Sequence, residues 1–178
     1  MAKKQLKMIM NDADISRAIK RMAHEILEKN KASKDLVFIG ILERGVPIAK
    51  RTAQIIKDAE GMDVPVGSLD VSLYRDDLAH RGSTIKVKKS DIPFNLDGKI
   101  VVLFDDVVFA GRTVRAALDG LNDLGRASKI QLAALIDRGG RELPIQPDFF
   151  GKKVSTLSSE DVKTSLKEID GIDQVVLQ

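Results

Sequence analysis

The chain has 178 residues, 43% of them hydrophobic, and a nearly balanced charge of +3 at neutral pH. This length suits one ordinary domain with its own core, and we expect a single domain over residues 1–178. The absence of cysteine excludes disulfides, thiolate metal sites and cysteine nucleophiles. The basic start, MAKKQLKM, is followed by no apolar run of membrane-spanning length, so we predict a cytoplasmic protein that does not interact with membranes.

The first half of the chain alternates between helical and strand patterns. Asn11 is a good helix N-cap, isoleucine and methionine then recur at helical spacing, and Pro47 suits the first turn of a second helix. Residues 75–91 are polar and lack periodicity, which predicts a mobile loop. The predicted elements are a helix over 12–30, a buried strand over 36–41, a helix over 46–59 and a strand over 64–74.

The second half continues this alternation and then ends in shorter strands. Its predicted elements are a strand over 99–104, a helix over 113–124, a strand over 130–137 and an antiparallel hairpin formed by 162–170 and 174–178 around Gly171. Buried strands that alternate with helices form a parallel, doubly wound sheet, and its ligands bind beyond the carboxyl ends of the strands. We therefore expect an α/β fold whose ligand edge is formed by loops 42–45, 105–112 and 138–152.

The string VVLFDDVVFAGRT at residues 101–113 carries the strongest chemical signal. Asp105 and Asp106 repel each other. A cation, or a ligand that presents hydroxyls, such as a ribose diol, would therefore stabilise the pair. Gly111 permits close backbone approach, and a helix that begins near Thr113 directs its free amides at the same loop, as an anion site. Two acids alone would indicate only a solvated turn, but the whole string predicts a site for ribose 5-phosphate.

The same string resembles the phosphoribosyl pyrophosphate (PRPP) motif of type I phosphoribosyltransferases. The resemblance implies that Asp105 and Asp106 hold the ribose hydroxyls while the following turn cradles the 5′-phosphate. Ala110 stands where the family commonly has threonine, so one phosphate hydrogen bond is expected to be missing. The implied ribose-phosphate contacts are Asp105, Asp106, Val107, Val108, Phe109, Ala110, Gly111, Arg112 and Thr113.

Further segments extend the resemblance over nearly the whole chain: AIKRMAHEILEKNK, VFIGILERG, LDVSLYRDDL and IQLAALIDRGGRELPIQPDFFGK. Together they are similar to the pyrimidine-operon regulatory proteins that double as uracil phosphoribosyltransferases. This implies a type I phosphoribosyltransferase fold, with a central, mainly parallel sheet, a small hood over about 138–178 and a C-terminal β-hairpin. It also implies UMP synthesis from uracil, binding of a pyrimidine mRNA leader when UMP or UTP is plentiful, and a homodimer or higher oligomer.

The resemblance also assigns the leaving-group side of the site. The loop after the 36–41 strand is similar to a diphosphate loop, although a glycine there also occurs in ordinary tight turns. The basic 75–91 segment is expected to close as a lid over the diphosphate, rather than to serve only as a solvated loop. The predicted diphosphate contacts are Glu43, Arg44, Gly45, Tyr74 and Arg75, and the predicted catalytic residues are Asp105, Asp106 and Arg75.

A hood for the base is implied by the segment from Asp137 to Gly151. An aromatic ring there would offer a stacking face and nearby main-chain groups would read the uracil edge, although both phenylalanines could instead be core. The family often has histidine at the position of Gly140 and tyrosine followed by an aliphatic residue at 149–150, so this chain departs from the family pattern at its predicted base contacts and near residue 140. The predicted base contacts are Arg138, Phe149 and Phe150.

The implied reaction displaces pyrophosphate from C1 of PRPP by uracil N1. It needs fixed geometry and stabilisation of the leaving group rather than a protein nucleophile, which agrees with the lack of a Ser-His-Asp pattern. Mg²⁺ is the expected cofactor, held mainly through substrate oxygens, and no protein ligand is predicted for it.

One face of the first predicted helix is basic, opposite its apolar face. Its residues are Arg17, Lys20, Arg21 and His24. Such a face is usually only solvated, but the family resemblance implies that it binds RNA, through phosphate contacts. Two rival interpretations remain: a nucleotide-sensing RNA regulator with little or no catalysis, and a purine-salvage phosphoribosyltransferase.

Overall fold

The chain folds around a five-stranded sheet with a smaller sheet beside it. The computed structural model describes residues 6–75, 89–157 and 159–178. The predicted lid over 75–91 therefore lies largely outside the described residues. In chain order the elements are β1 (Lys7–Met10), α1 (Asp12–Lys29), β2 (Leu36–Ile41), α2 (Gly45–Glu60), β3 (Val66–Leu69), a 3-10 turn (Ser72–Tyr74), β4 (Ile100–Val108), α3 (Arg112–Leu124), β5 (Lys129–Asp137), β6 (Phe149–Lys153), β7 (Val162–Ser165), α4 (Lys167–Asp170) and β8 (Gln174–Leu177).

The central sheet has the strand order β3-β2-β4-β5-β6, and every neighbouring pair is parallel. All six residues of β2 are buried, as expected for a parallel strand that is covered on both faces. Helices α1 and α2 pack on one face, where the rings of Phe38 and Phe104 meet edge to face at 4.9 Å. Helix α3 packs on the other face through Val114, Ala117 and Leu121. This arrangement confirms the predicted α/β fold class.

The start of α1 matches its sequence signal. The Asn11 side chain accepts a hydrogen bond from the Asp14 amide at 2.9 Å, and the Asp14 carboxylate accepts one from the Asn11 amide at 3.1 Å. This reciprocal capping box satisfies two amides at the helix start. The helix ends at Lys29, one residue before the predicted end, and buries the isoleucines and Met22 that predicted it.

Two strands differ in length from their predictions. β3 ends at Leu69 instead of residue 74, because the Asp70 carboxylate accepts hydrogen bonds from the amide and hydroxyl of Ser72 and turns the chain. β4 continues to Val108 instead of ending at residue 104, because its pairing with β5 extends through Val108 opposite Asp137. Asp105 and Asp106 therefore belong to the last part of a strand rather than to the loop after it.

The smaller sheet joins the two ends of the chain. The predicted hairpin is present as antiparallel β7 and β8, with the short helix α4 in its connection. The sequence did not predict β1, which pairs with β8, or β6, which forms the edge of the central sheet beyond β5. Among the described residues, none of the helices is long and apolar enough to cross a membrane.

Candidate active site

The two adjacent carboxylates lie near the carboxyl end of β4, at the ligand edge of the sheet. Asp105 is 8% exposed and Asp106 is half-buried. Each carboxylate accepts a hydrogen bond at 2.9 Å from the amide of the following residue. Because successive strand side chains point to opposite faces, the pair presents acids on both sides of the strand end.

The electrostatics of this pair favour a ligand. Burial, followed by the charge of Asp106, raises the pKa of Asp105 well above its ordinary value, while the charge of Arg75 lowers it. Burial also raises the pKa of Asp106, against the hydrogen bond from the Val107 amide and the charge of Arg44. Hydroxyl donors or a cation would compensate the cost of ionising both groups.

A cavity of about 220 Å³ lies directly beyond these carboxylates. Helix α3 begins at its wall after Gly111, which has a φ of 93° and provides no side-chain cap. The amides of a first helical turn have no partners within the helix, and they carry the positive end of the helix dipole. The cavity is thus suited to an anion. Its lining includes every predicted ribose-phosphate residue except Asp106, together with Arg75 and Val114: Arg75, Asp105, Val107, Val108, Phe109, Ala110, Gly111, Arg112, Thr113 and Val114.

The loop after β5 braces this turn from one side. The Ala110 carbonyl accepts hydrogen bonds from the amides of Glu142 and Leu143, at 3.0 and 3.2 Å. The Arg112 guanidinium, predicted as a phosphate contact, is 49% exposed and pairs with the Glu142 carboxylate at 2.7 Å. Its side chain is therefore held at the rim of the cavity by a partner.

Arg141 is a structural residue that was not singled out from the sequence. It is 11% exposed and pairs with the buried Asp137 carboxylate at 2.6 Å. Its guanidinium also donates to the carbonyls of Phe109, Gly139 and Ile145. Arg141 thus links the end of β5 to the turn that precedes α3. The spacing Asp137-x-x-x-Arg141 after a buried strand is the sequence signal that could have indicated this ion pair.

The predicted diphosphate loop packs directly against β4. Gly45 allows this contact, because a Cβ at that position would lie 2.2 Å from the carbonyl oxygen of Phe104. The Leu42–Glu43 peptide bond is cis. The Arg44 guanidinium forms an ion pair with Asp170 at 2.7 Å, so a residue from the C-terminal hairpin reaches this loop.

Tyr74 and Arg75, two of the predicted diphosphate contacts, lie at the end of the 3-10 turn, and their side chains point in different directions. The Tyr74 hydroxyl donates to the Asp123 carboxylate at 2.8 Å, and its ring lies against Gly120 of α3. This placement disagrees with the predicted diphosphate contact for Tyr74, whose hydroxyl fastens the turn to α3 instead. Arg75, the next residue, lines the cavity and acts electrostatically on Asp105.

The predicted base residues are not brought together. Arg138 follows β5 at the ligand edge, where its guanidinium lies 4.0 Å from the centre of the Phe109 ring and donates to the Thr156 hydroxyl. Phe149 is 3% exposed and belongs to the core beneath α1, so it offers no stacking face. Phe150 is 40% exposed, but β6 begins at these phenylalanines and reaches the ligand edge only at its other end.

The four predicted RNA contacts lie together on the exposed face of α1, as the helical spacing indicated. Arg17 pairs with Asp14, and Arg21 pairs with Glu25 at 3.3 Å. Arg21 also donates to the carbonyls of Phe150 and Gly151 in β6. Part of this basic face therefore fastens α1 to the sheet edge.

The donor set at the ligand edge suits a cation held mostly by a ligand. Among residues 6–75, 89–157 and 159–178, no three histidine or acidic side chains cluster as metal ligands. The Asp105–Asp106 pair offers carboxylate oxygens whose ionisation a nearby cation would favour. Mg²⁺ usually keeps waters and uses one or two carboxylates beside substrate phosphates, so the residues present fit it.

Comparisons with known proteins identify the family of this chain. Residues 5–168 match the phosphoribosyl transferase domain. The curated Bifunctional protein PyrR of Chloroflexus aurantiacus is 56% identical over 171 residues, which cover 96% of this chain and 94% of that protein. The protein of the same name from Thermus thermophilus is 53% identical over 169 residues, which cover 95% of this chain and 93% of that protein.

Solved structures share the fold at much lower identity. The hypoxanthine phosphoribosyltransferase of Trypanosoma cruzi aligns with a TM-score of 0.73 at 18% identity, over 96% of this chain and 95% of that one. A purine phosphoribosyltransferase from Pyrococcus horikoshii aligns with a TM-score of 0.61 at 23% identity, over 82% and 86%. These likenesses show the fold alone and do not indicate a purine substrate. The chain belongs to the phosphoribosyltransferase family and, within it, to the bifunctional PyrR proteins, which confirms the family predicted from its sequence.

Proposed function

We propose that this chain transfers the phosphoribosyl group of PRPP to uracil, giving UMP and pyrophosphate, and also regulates pyrimidine genes by binding an mRNA leader in response to uridine nucleotides. The observation that carries the proposal is the pair formed by buried Asp105 and half-buried Asp106 beside the helix-start cavity. Relatives named Bifunctional protein PyrR at 53–56% identity support both activities over the rival interpretations.

The ribose 5-phosphate half of PRPP occupies the β4–α3 turn. The ribose hydroxyls donate to Asp105 and Asp106. This contact compensates the cost of ionising the two carboxyls, whose pKa values are raised first by burial and, at Asp105, also by the charge of Asp106. The 5′-phosphate accepts hydrogen bonds from the amides at the start of α3 and from the Thr113 hydroxyl. These contacts fix the position of C1 without any covalent bond to the protein.

The diphosphate half lies towards Arg75 and the loop that contains Arg44. Both guanidiniums already act on the aspartate pair, which puts positive charge near the place where the leaving group becomes more anionic. The phosphoribosyltransferase family generally uses Mg²⁺ with PRPP, and the metal supplies further stabilisation of the diphosphate charge. Uracil N1 attacks C1 as pyrophosphate leaves, and Arg138 at the edge of β5 borders the base position.

The RNA-binding activity is assigned to the exposed face of α1. Arg17, Lys20 and His24 face solvent there, and single-stranded RNA loops are common targets of such basic faces. UMP or UTP in the catalytic cavity would signal pyrimidine supply to this face. A homodimer would present the face twice about a symmetry axis, and both the substrates and the mRNA target fit a cytoplasmic location.

The catalytic proposal is tested by measuring UMP formation from uracil, PRPP and Mg²⁺, with hypoxanthine and guanine as competing bases. We expect turnover with uracil only, and its loss in Asp105→Asn/Asp106→Asn. Asp58→Asn/Asp63→Asn, a matched pair of changes at exposed carboxylates near the end of α2, is expected to keep activity. Turnover with purines instead of uracil would support the purine-salvage alternative, and no turnover despite UMP binding would support a regulator without catalysis.

The RNA proposal is tested with charge reversals that spare the structural contacts of Arg21. We expect Arg17→Glu/Lys20→Glu to abolish leader RNA binding in a filter or gel-shift assay while UMP formation stays unchanged. Arg126→Glu/Lys129→Glu makes the same charge change around the start of β5 and serves as the control. Equal loss of binding in both double variants would mean that α1 holds no specific RNA site.

A further inference from the structure

The C-terminal hairpin is fastened to the start of α2 by ion pairs. Arg51 of α2 donates to the carboxylates of Glu168 and Asp173, at distances from 2.5 to 2.9 Å. Lys167 on the short helix α4, which also carries Glu168, pairs with Asp12 at 2.9 Å. These contacts hold α4 against the start of α1 and against α2, the helix that begins at the predicted diphosphate loop.

Asp170 extends this network into the diphosphate loop itself. Its carboxylate receives two hydrogen bonds from Arg44, from Nε at 3.1 Å and from Nη2 at 2.7 Å. It also accepts a hydrogen bond from the Leu166 amide at 2.9 Å. The side chains of Arg44 and Asp170 are only 30% and 22% exposed, so the pair is sheltered and its geometry is fixed from both sides.

Arg44 lies within reach of both the hairpin and the catalytic carboxylates. Its pKa is raised by the hydrogen bond to Asp170 first and also by the charge of Asp106. A guanidinium has five N–H donors, and the pairing with Asp170 uses Nε and one N–H of Nη2. Among the contacts that the described residues show, the Nη1 edge is left for an anionic ligand.

We propose that Asp170 is a positioning residue that orients Arg44 towards the diphosphate of PRPP. This inference rests on the proposed function and deepens it, because it makes the C-terminal hairpin part of the leaving-group site. A long arginine side chain loses conformational freedom when it binds a ligand, and a partner that fixes it beforehand reduces that cost. Bidentate pairing also sets the plane of the guanidinium.

A purely electrostatic role for Asp170 would have the opposite sign. A carboxylate beside an anion site repels the anion, so its removal would then tighten PRPP binding. Positioning instead predicts weaker PRPP binding when Asp170 is removed. The direction of the change in KM for PRPP therefore decides between the two roles.

The test measures steady-state UMP formation by Asp170→Ala and Asp170→Asn. We expect Asp170→Ala to raise KM for PRPP about tenfold, which corresponds to about 1.4 kcal/mol, and Asp170→Asn to have an intermediate effect because it keeps one acceptor oxygen. KM for uracil and the Kd for UMP, which has no diphosphate, are expected to stay unchanged. Glu168→Gln removes a negative charge from the same helix and is expected to leave KM for PRPP unchanged.

A double-mutant cycle with Arg44→Ala tests whether Asp170 acts through Arg44. We expect Asp170→Ala to have no further effect on KM for PRPP when Arg44 is already removed. An unchanged or lower KM in Asp170→Ala, a matching rise in Glu168→Gln, or full additivity in the cycle would each overturn the proposal. Thermal unfolding of every variant separates these results from a general loss of folding.

The inference and the proposed function fail in distinguishable ways. If the wild-type protein makes no UMP, the catalytic proposal fails, and the same variants are then compared by calorimetry with Mg²⁺-pyrophosphate as the ligand. Weaker pyrophosphate binding in Asp170→Ala, but not in Glu168→Gln, would still support positioning. Equal pyrophosphate binding in wild type, Asp170→Ala and Glu168→Gln would overturn the positioning role of Asp170.

Discussion

Asp105→Asn is expected to stabilise the fold while it abolishes PRPP binding. The Asp105 carboxylate is 8% exposed, and burial together with the charge of Asp106 raises its pKa well above the ordinary value. Asparagine has the same shape and can still accept the hydrogen bond from the Asp106 amide. The substitution therefore removes a buried charge without leaving a cavity.

The pH dependence of this effect follows from linkage. The folded-state pKa of Asp105 is raised, so the folded protein binds the Asp105 proton more tightly than the unfolded chain does. In the unfolded chain the pKa of an aspartate is about 3.9. The stabilisation from this group is fully present below that value and is lost as pH rises through the folded-state pKa. Above the unfolded-state pKa this group therefore lowers the free energy of unfolding as pH rises, and asparagine, which does not titrate, avoids the loss.

The magnitude grows by about 1.4 kcal/mol for each pH unit between the unfolded and folded pKa values. For a chain of this length, each kcal/mol shifts Tm by about 2–4 °C. Urea unfolding of wild type and Asp105→Asn from pH 4 to pH 8 measures the difference directly. Protonation of carboxylates away from this pair affects both proteins alike, so the difference between them isolates the coupled Asp105–Asp106 pair.

We expect the advantage of Asp105→Asn to be largest at pH 7.5 and to shrink towards pH 4. Asp119→Asn, a change at an exposed carboxylate on α3, serves as the control and is expected to show no such trend. A variant that is less stable than wild type at pH 7.5, or a difference that does not vary with pH, would refute the reasoning. Retained PRPP binding would refute the assignment of Asp105 to the ribose.

Three further substitutions test the loops around the site. Gly45→Ala places a Cβ 2.2 Å from the carbonyl oxygen of Phe104, so we expect a loss of about 1–3 kcal/mol in urea unfolding and a higher KM for PRPP; unchanged values would contradict the close packing. Gly140→Ala, at φ 66° and 2.2 Å from the Phe109 ring, should lose about 1–2 kcal/mol, and thermal unfolding equal to wild type would count against it. Arg141→Met leaves a buried carboxylate unpaired and should cost about 3–5 kcal/mol in urea unfolding; a loss below about 1 kcal/mol would show that the clamp is weak.

The sequence by itself determined four of the five strands of the central sheet, all except β6, and the place of the Asp105–Asp106 pair at its edge. Continuous apolar runs such as 36–41 indicate strands that are buried on both faces, and these alternate with helices whose caps and periodicity are local. Because parallel strands bring their carboxyl ends to one edge, the position of Asp105 and Asp106 followed from chain order alone. The family motif over 101–113 predicts PRPP as the ligand of this site.

Local patterns were less informative where a segment is short or its partner is distant. β1 and β6 have four and five residues, too few for a clear period, and they are strands because β8 and β5 offer them hydrogen-bonding edges. The sequence predicted Phe149 as a base contact in a loop of the hood. In the structure it lies in β6, in parallel register opposite Ala133, and its ring is in the core. The register of a strand depends on its neighbour, and local sequence does not carry that information.

Only the tertiary structure decided the partners of the charged residues. Arg44 and Asp170 are separated by 126 positions, and nothing in the local sequence of either residue distinguishes this pair from a solvated charge. The pair forms because the hairpin docks on α2 and brings α4 to the diphosphate loop. Secondary structure follows from short-range spacing, whereas the side chains that complete the site are selected by packing between elements that are far apart in the chain.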